Sequence, residues 1–177
     1  MANENKLSFR KLHADEIDCR IGQIKKNGLS LLLYKDARCD MNVLDETVGA
    51  MNWKREHTRD NRNCVVSIWD TAKGEWVSKE DTGTESNTEA EKGLASDSFK
   101  RACVNWGIGR ELYTAPFIWI DNTKCDIKEA GGKFRCYDKF KVAKLTYKDN
   151  GEIDGLAIVN DTTKKIVFIQ NPEKGDK

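Results

Sequence analysis

Residues 86–107 hold the pattern that most restricts the fold. Ala95, Phe99, Ala102, Cys103 and Trp106 stand at i, i+4, i+7, i+8 and i+11, a spacing that gathers them on one face of an α-helix. Ser86 with Glu89, and Thr88 with Glu91, each fit a capping box, in which a hydroxyl and a carboxylate satisfy N–H groups that a helix start leaves without partners. Gly107 and Gly109 supply the stop. Gly93, inside the helix, costs about 1 kcal/mol relative to alanine and marks either a close backbone approach or a tolerated loss. A helix with one apolar stripe must bury it, so the rest of the chain has to provide a matching apolar surface.

Strand patterns supply that surface. NCVVSIWD (63–70) and EWVSKEDTG (75–83) flank Thr71–Gly74 and read as a hairpin. LSLLLYKD (29–36) is an apolar run too short for a stable helix and reads as a buried strand, and 51–59 as a strand with a charged face. Leu12, Ile17, Ile21 and Ile24 recur at roughly helical spacing and predict a first helix over 7–24, followed by a turn at 25–28. Residues 41–49 read as a short helix stopped by Gly49. PFIWID (116–121) is a further strand, and 139–147, 155–161 and 164–170 form a three-stranded antiparallel meander with turns at 148–151 and after Asp161. Helices and strands are segregated rather than alternating, so the class is α+β. The expected organisation is a core over 7–120, a small C-terminal β-meander appendage over 121–170 and a flexible tail at 171–177.

At 177 residues the chain suits one domain, or one domain with an appendage, and 5 Trp, 6 Phe and 4 Tyr can nucleate its core. No apolar run reaches the length of a membrane span, and MANENKLSFRKLH has no apolar signal core, so a cytoplasmic protein with no membrane partner is expected. The six cysteines, at 19, 39, 64, 103, 125 and 136, contain no C-x-x-C pair and read as reduced thiols, Cys103 as core. His13 and His57 have no histidine partner at ligand spacing, so neither a metal nor another cofactor is expected.

Net charge is +1, which excludes a globally basic coat, yet the charge is segregated. Residues 20–63 carry nine Lys/Arg against six acids, 75–97 seven acids against two lysines, and 121–148 eight bases against four acids. Such segments suit a polyanion groove with complementary charged faces between subunits, or an ordinary mixed surface. Lys100 and Arg101, with Lys92 two turns earlier, lie on the polar side of the long helix, where they either contact phosphate or partner the helix dipole. Lys25 and Lys26 make a second basic point; Lys54, Arg55, Arg59 and Arg62 make a third. Trp53, Trp69 and Trp76 on strands serve either as core or as base-stacking surfaces. WGIGREL (106–112) lacks the third glycine of a dinucleotide fingerprint and follows a helix, and no Walker-type motif occurs. A metal-dependent nuclease could use a cluster such as Glu85, Glu89, Glu91 and Asp97, but capping and solvation account for these acids more simply. No Ser-His-Asp or Cys-His arrangement is supported, so no catalytic residue is assigned.

EDTGTESNTEAEKGLASDSFKRACVNWGIGR (80–110) resembles the signature of the Rad52/Rad22 double-strand break repair family, with phage Sak-type single-strand annealing proteins the nearest type. The pattern is a hairpin ending in E-D-x-G (Glu80, Asp81, Gly83), then a helix with Ala95, Asp97, Lys100, Arg101, Ala102, Trp106 and Gly107. Gly49, Asn52 and Trp53 resemble the family's upstream G-x-x-W segment, and the likeness spans roughly 15–120. The resemblance implies a β-β-β-α core, an antiparallel sheet packed on a long helix, assembled in homo-oligomeric rings. It implies ATP-independent annealing of single-stranded DNA in recombination and repair, in a bacterial or phage setting, with no enzymatic step. A host or phage single-strand-binding protein or exonuclease is a further implied partner. The family's Lys-Arg pair lines the DNA groove and corresponds to Lys100 and Arg101; Lys92 matches another basic position. A basic residue before the first strand corresponds to Lys25 or Lys26. One further groove arginine falls on Val104, with Arg110 as the substitute. The alternative is a passive single-stranded nucleic-acid binder that does not anneal.

Overall fold

In the computed structural model the described residues are 6–84 and 90–170, with 90–92 described by backbone alone. The elements are β1 (Asp18–Lys25), β2 (Gly28–Tyr34), α1 (Ala37–Val48), β3 (Trp53–Thr58), β4 (Asn63–Asp70), β5 (Glu75–Thr82), α2 (Ala90–Trp106), β6 (Ile118–Asp121), β7 (Ile127–Ala130), β8 (Lys133–Cys136), β9 (Phe140–Tyr147), β10 (Ile153–Asn160) and β11 (Lys165–Gln170). The protein is α+β, with antiparallel pairing in each of its three sheets and two α-helices among the described residues. It divides into two compact units. No helix among the described residues is long and apolar enough to cross a membrane.

The first unit joins the residues up to Lys11 with Ala37–Arg110. It contains α1, the sheet β3-β4-β5 and α2. The hairpin at 71–74 forms as expected: Gly74 N–H donates to Asp70 O at 2.8 Å and holds φ at +67°. Strand β4 is the most buried of the three strands, with Cys64 and Val66 fully inaccessible on the face toward α2 and Trp69 exposed on the other. Helix α2 ends in a Schellman motif, Ile108 N–H donating to Cys103 O at 3.1 Å and Gly107 N–H to Val104 O at 2.9 Å, with Gly107 at φ +106°. The capping residues 86–89 expected at its start lie outside the described residues. Phe99, Ala102 and Cys103 are fully buried as the periodicity requires, joined by Leu94 and Ser98.

The second unit joins Leu12–Asp36 with the chain from Glu111 onward. Its six-stranded sheet runs β11-β10-β9-β1-β2-β6, and the outermost strands β11 and β6 contact one another around an apolar interior. The helix expected over 7–24 does not form. A 3₁₀ turn at Ala14–Glu16 leads into β1, which pairs with β2 from Asp18↔Tyr34 to Lys25↔Gly28. The misleading period has a physical origin. A bulge in β1 between Ile21 and Ile24 lets two residues three apart both pack on the core, imitating a helical spacing inside a strand.

The meander β9-β10-β11 forms with its turns at 148–151 and 161–164. The boundary expected between residues 120 and 121 falls inside β6, and the meander shares one core with the early strands: Leu29, Leu31, Ile118 and Ile120 pack with Phe140, Leu156, Ile158 and Val167. Asn160, fully buried, ties this region together. Its amide donates to Asp138 Oδ2 at 2.8 Å and Lys124 O at 3.3 Å, and its carbonyl accepts from Thr162 N at 3.0 Å and Thr163 N at 3.2 Å. Removing it strands several buried polar groups at once, so Asn160→Ala is expected to cost about 3 kcal/mol in a urea unfolding titration. A loss below about 1 kcal/mol would mean that water replaces the amide without penalty.

Candidate nucleic-acid interface

The first unit places its basic side chains by the alternation of β3 and the rotation of α2. Along β3, Trp53, Arg55 and His57 lie opposite Ile68, Val66 and Cys64, on the face whose side chains meet α2; Lys54 and Glu56 point the other way. Trp53 stacks on Phe99 with centroids 6.1 Å apart, and the Arg55 guanidinium sits 4.7 Å from the same ring centre. Trp53 Nε1 donates to Asp45 Oδ1 of α1. Ser98 Oγ donates to Asn61 O at 3.0 Å and approaches His57 Nδ1 at 3.4 Å. Burial, assisted by the neighbouring Arg55 charge, pushes the His57 pKa down.

Gly83 closes the end of β5 against α2. A Cβ there would lie 2.6 Å from Ser98 N, 2.9 Å from Leu94 O and 3.0 Å from Ser98 Cα, all backbone atoms that cannot swing away. This is the physical requirement behind the glycine of the E-D-x-G pattern. Just before β4, Arg59, Asp60 and Asn61 all adopt left-handed backbone, φ +52°, +52° and +66°. The strained turn is held by Ser98 on Asn61 O and by Gly83 N–H on Arg62 O at 2.7 Å.

The sequence-derived cations are not equivalent. Lys100 is half-buried on α2 with no ion-pair partner among the described residues. Arg101 is engaged: its Nε donates to Asp97 Oδ2 at 3.0 Å, and Asp97 also accepts from Thr84 N–H at 2.9 Å. Burial opposes the Asp97 charge, but the Thr84 and Arg101 hydrogen bonds outweigh it and hold the carboxyl below its ordinary range. Arg110 turns back to the end of α2, its guanidinium on Val104 O at 3.0 Å and Asn105 O at 3.2 Å, the position of a cation that caps a helix C-terminus. Lys54 pairs with Glu56 at 3.5 Å and lies 5.0 Å over the Trp76 ring; Trp76 and Trp69 form an edge-to-face pair on that outer side. Lys92 lies in α2 with its side chain outside the described residues. Lys25 and Lys26 belong to the second unit, exposed at the β1–β2 turn.

Lys79 escaped the sequence reading. It faces Val66 on β5, donates to Asn105 O at 2.8 Å and sits 4.6 Å over the Trp106 ring. The strand period, which puts Lys79 on the same face as Val77, was the available signal. Among the described residues no group of three His, Cys, Asp or Glu is placed to hold a metal, and Glu85 and Glu89 lie outside them. Burial pushes up the pKa values of the Cys19, Cys64, Cys125 and Cys136 thiols, Cys64 to about 11.

A family model described as Rad52/22 family double-strand break repair protein matches residues 4–129, the first unit and the early strands of the second, ending inside β7. Comparison with curated proteins and with solved structures finds no match.

Two outcomes follow from the geometry. Gly83→Ala is expected to lower stability by about 2–4 kcal/mol, read as a drop in thermal midpoint, because a backbone clash must be relieved; an unchanged midpoint would refute the close approach. The Asp97 carboxyl is depressed, so its stabilisation is present above its unfolded value of about 3.9 and is lost as pH falls through the folded value. Urea titrations should therefore show wild type more stable than Asp97→Asn at neutral pH, with the gap closing in acid. A gap independent of pH would assign the loss to something other than the charge.

Proposed function

The chain belongs to the Rad52/22 family of double-strand break repair proteins, and on that premise we propose that it binds single-stranded DNA and anneals complementary strands without ATP. The observation that carries the reading is the family match over residues 4–129, which contains the α2 cations. The family points to a DNA repair and annealing role rather than to catalysis. In this reading β3-β4-β5 and α2 are the β-β-β-α annealing core, with the helix packed on the sheet.

Annealing asks for neutralised phosphates and bases left free to pair, so positioned cations suffice. Lys100 is the principal phosphate contact, and Arg101 joins it by sharing its guanidinium between Asp97 and DNA. Lys92 and Arg55 extend the basic path on the α2 side, with Arg110 contributing while it caps α2, and Lys54 is a separate contact on the opposite face of β3. Lys25 and Lys26 supply the contact before β2. A homo-oligomeric ring multiplies these few cations along a continuous strand and protects sheet edges. The setting is the cytoplasm of a bacterial cell, for a phage or bacterial recombination system in which a single-strand-binding protein or exonuclease supplies the strands.

Fluorescence-monitored pairing of two complementary oligonucleotides without ATP tests the reading. Wild type should accelerate pairing, and the Lys100→Ala/Arg101→Ala double variant should abolish the acceleration. Lys100→Ala alone should weaken binding on every sequence and reduce the log–log salt slope by about 1. Slowed pairing by wild type would assign passive binding instead. Unchanged binding by a folded double variant would remove these two residues from the groove.

A further inference from the structure

The second unit presents an aromatic surface that the Lys-Arg helix does not account for. Strand β6 turns Ile118 and Ile120 into the core, so Phe117, just before it, and Trp119 face outward. Their rings stack with centroids 6.3 Å apart and planes inclined by 19°. Phe117 remains 77% exposed.

The neighbouring strand leaves the Trp119 side of this ring pair clear. Ser30 lies directly opposite Trp119, and Gly28 opposite Asp121. The Trp119 ring lies over Gly28, where a Cβ would approach its Cε2 at 2.6 Å and Cζ2 at 2.7 Å. On β1, a Cβ at Gly22 would approach Ser30 Oγ at 3.0 Å and the Leu32 side chain at 3.3 Å, so the large side chain that rises beside Ser30 on this face is Leu32, 49% exposed. The floor beside Trp119 is thus Gly28 and Ser30, with the exposed apolar side chain of Leu32 beyond them.

Cations border the same surface. Lys25 is the cross-strand partner of Gly28, and Lys26 follows it in the turn. Both are exposed, and neither has an ion-pair partner among the described residues. Asn122 fastens the turn to the chain after β6, donating from Nδ2 to Lys26 O at 3.2 Å and from its backbone N–H to Asn27 O at 3.1 Å. Asp121, opposite Gly28 on this edge, accepts from Thr123 N–H at 2.9 Å and Thr123 Oγ1 at 2.8 Å.

We propose that Phe117 and Trp119 form a stacking platform for unpaired nucleobases, with Lys25 and Lys26 holding the adjacent phosphates. Each base offers a π-face to the exposed ring, and the ammonium groups meet the backbone beside it. A nucleic-acid strand fits better than a protein face, because lysine is depleted from protein interfaces whereas a ring pair flanked by lysines matches the alternation of base and phosphate. The proposal deepens the single-strand-binding reading and rests on it.

The test uses the full chain and a single strand carrying a fluorescent adenine analogue whose emission is quenched by stacking. Wild type should quench the analogue. Phe117→Ala, at a solvent-exposed position, should bind about 10-fold more weakly with the salt slope unchanged, and Phe117→Tyr should restore both affinity and quenching. An abasic strand with the same phosphates should bind wild type and Phe117→Ala equally. If wild type binds the strand and Phe117→Ala matches it in affinity and quenching, the platform is refuted while the annealing reading stands. If wild type binds no strand, both fall. If Phe117→Ala instead lowers the oligomer mass in light scattering, the surface is a contact between copies and the proposal is overturned.

Discussion

Phe99 is the contact on which the candidate interface depends. Its ring is fully inaccessible, stacked on Trp53 and faced by the Arg55 guanidinium. Consecutive helical residues are rotated by about 100°. Fixing Phe99 inward therefore fixes Lys100 and Arg101 away from the buried face, without any further device. Ser98, one step earlier, is turned onto Asn61 and holds the left-handed turn that carries Arg59 and Arg62. Gly83 makes room for this junction, since any side chain there would strike the backbone of Leu94 and Ser98. One buried aromatic thus orients a helix, a turn and two strand ends.

The cations around that junction divide by what already holds them. Lys79 and Arg110 spend hydrogen bonds on the carbonyls at the end of α2, where a positive charge also offsets the helix dipole. Arg101 is oriented by Asp97, which is itself braced by Thr84. Such bracing reduces the entropy lost when a guanidinium meets a phosphate, although it also supplies a competing carboxylate. Lys100 has neither brace nor competitor among the described residues. Counting bases along the sequence treats these groups alike; their partners separate those that stabilise α2 from those available to a ligand.

Legibility followed locality. The stop of α2 at Gly107, the 71–74 hairpin and the C-terminal meander were readable because each rests on contacts within a few residues. Strand β1 was misread because its bulge puts Ile21 and Ile24 on one side. The β7–β8 hairpin was missed, although Gly131 and Gly132, at φ +60° and +72°, are a two-residue turn that only glycines adopt easily. For the site, the residue types and the rotation of α2 were visible in the sequence. The Arg101–Asp97 pair and the return of Arg110 to Val104 were not, because i,i+4 spacing permits a pair without requiring one and a reversal after a glycine stop has no period.

The placement of β9 beside β1 was the least visible feature, since pairing across more than a hundred residues leaves no local mark. It changes how the family match should be understood physically. The match ends inside β7, yet β1 lies between β2 and β9 in the sheet, and the interior is lined about equally by matched and unmatched residues. Leu29 and Ile120 have Leu156 and Ile158 as packing partners in the same cluster. Without the meander those apolar side chains would face water, and β1 would present a bare edge of N–H and C=O groups. The strand carrying Lys25 is therefore positioned by a segment that lies outside the family match, so the geometry of that basic point is a property of the whole second unit rather than of the matched residues alone.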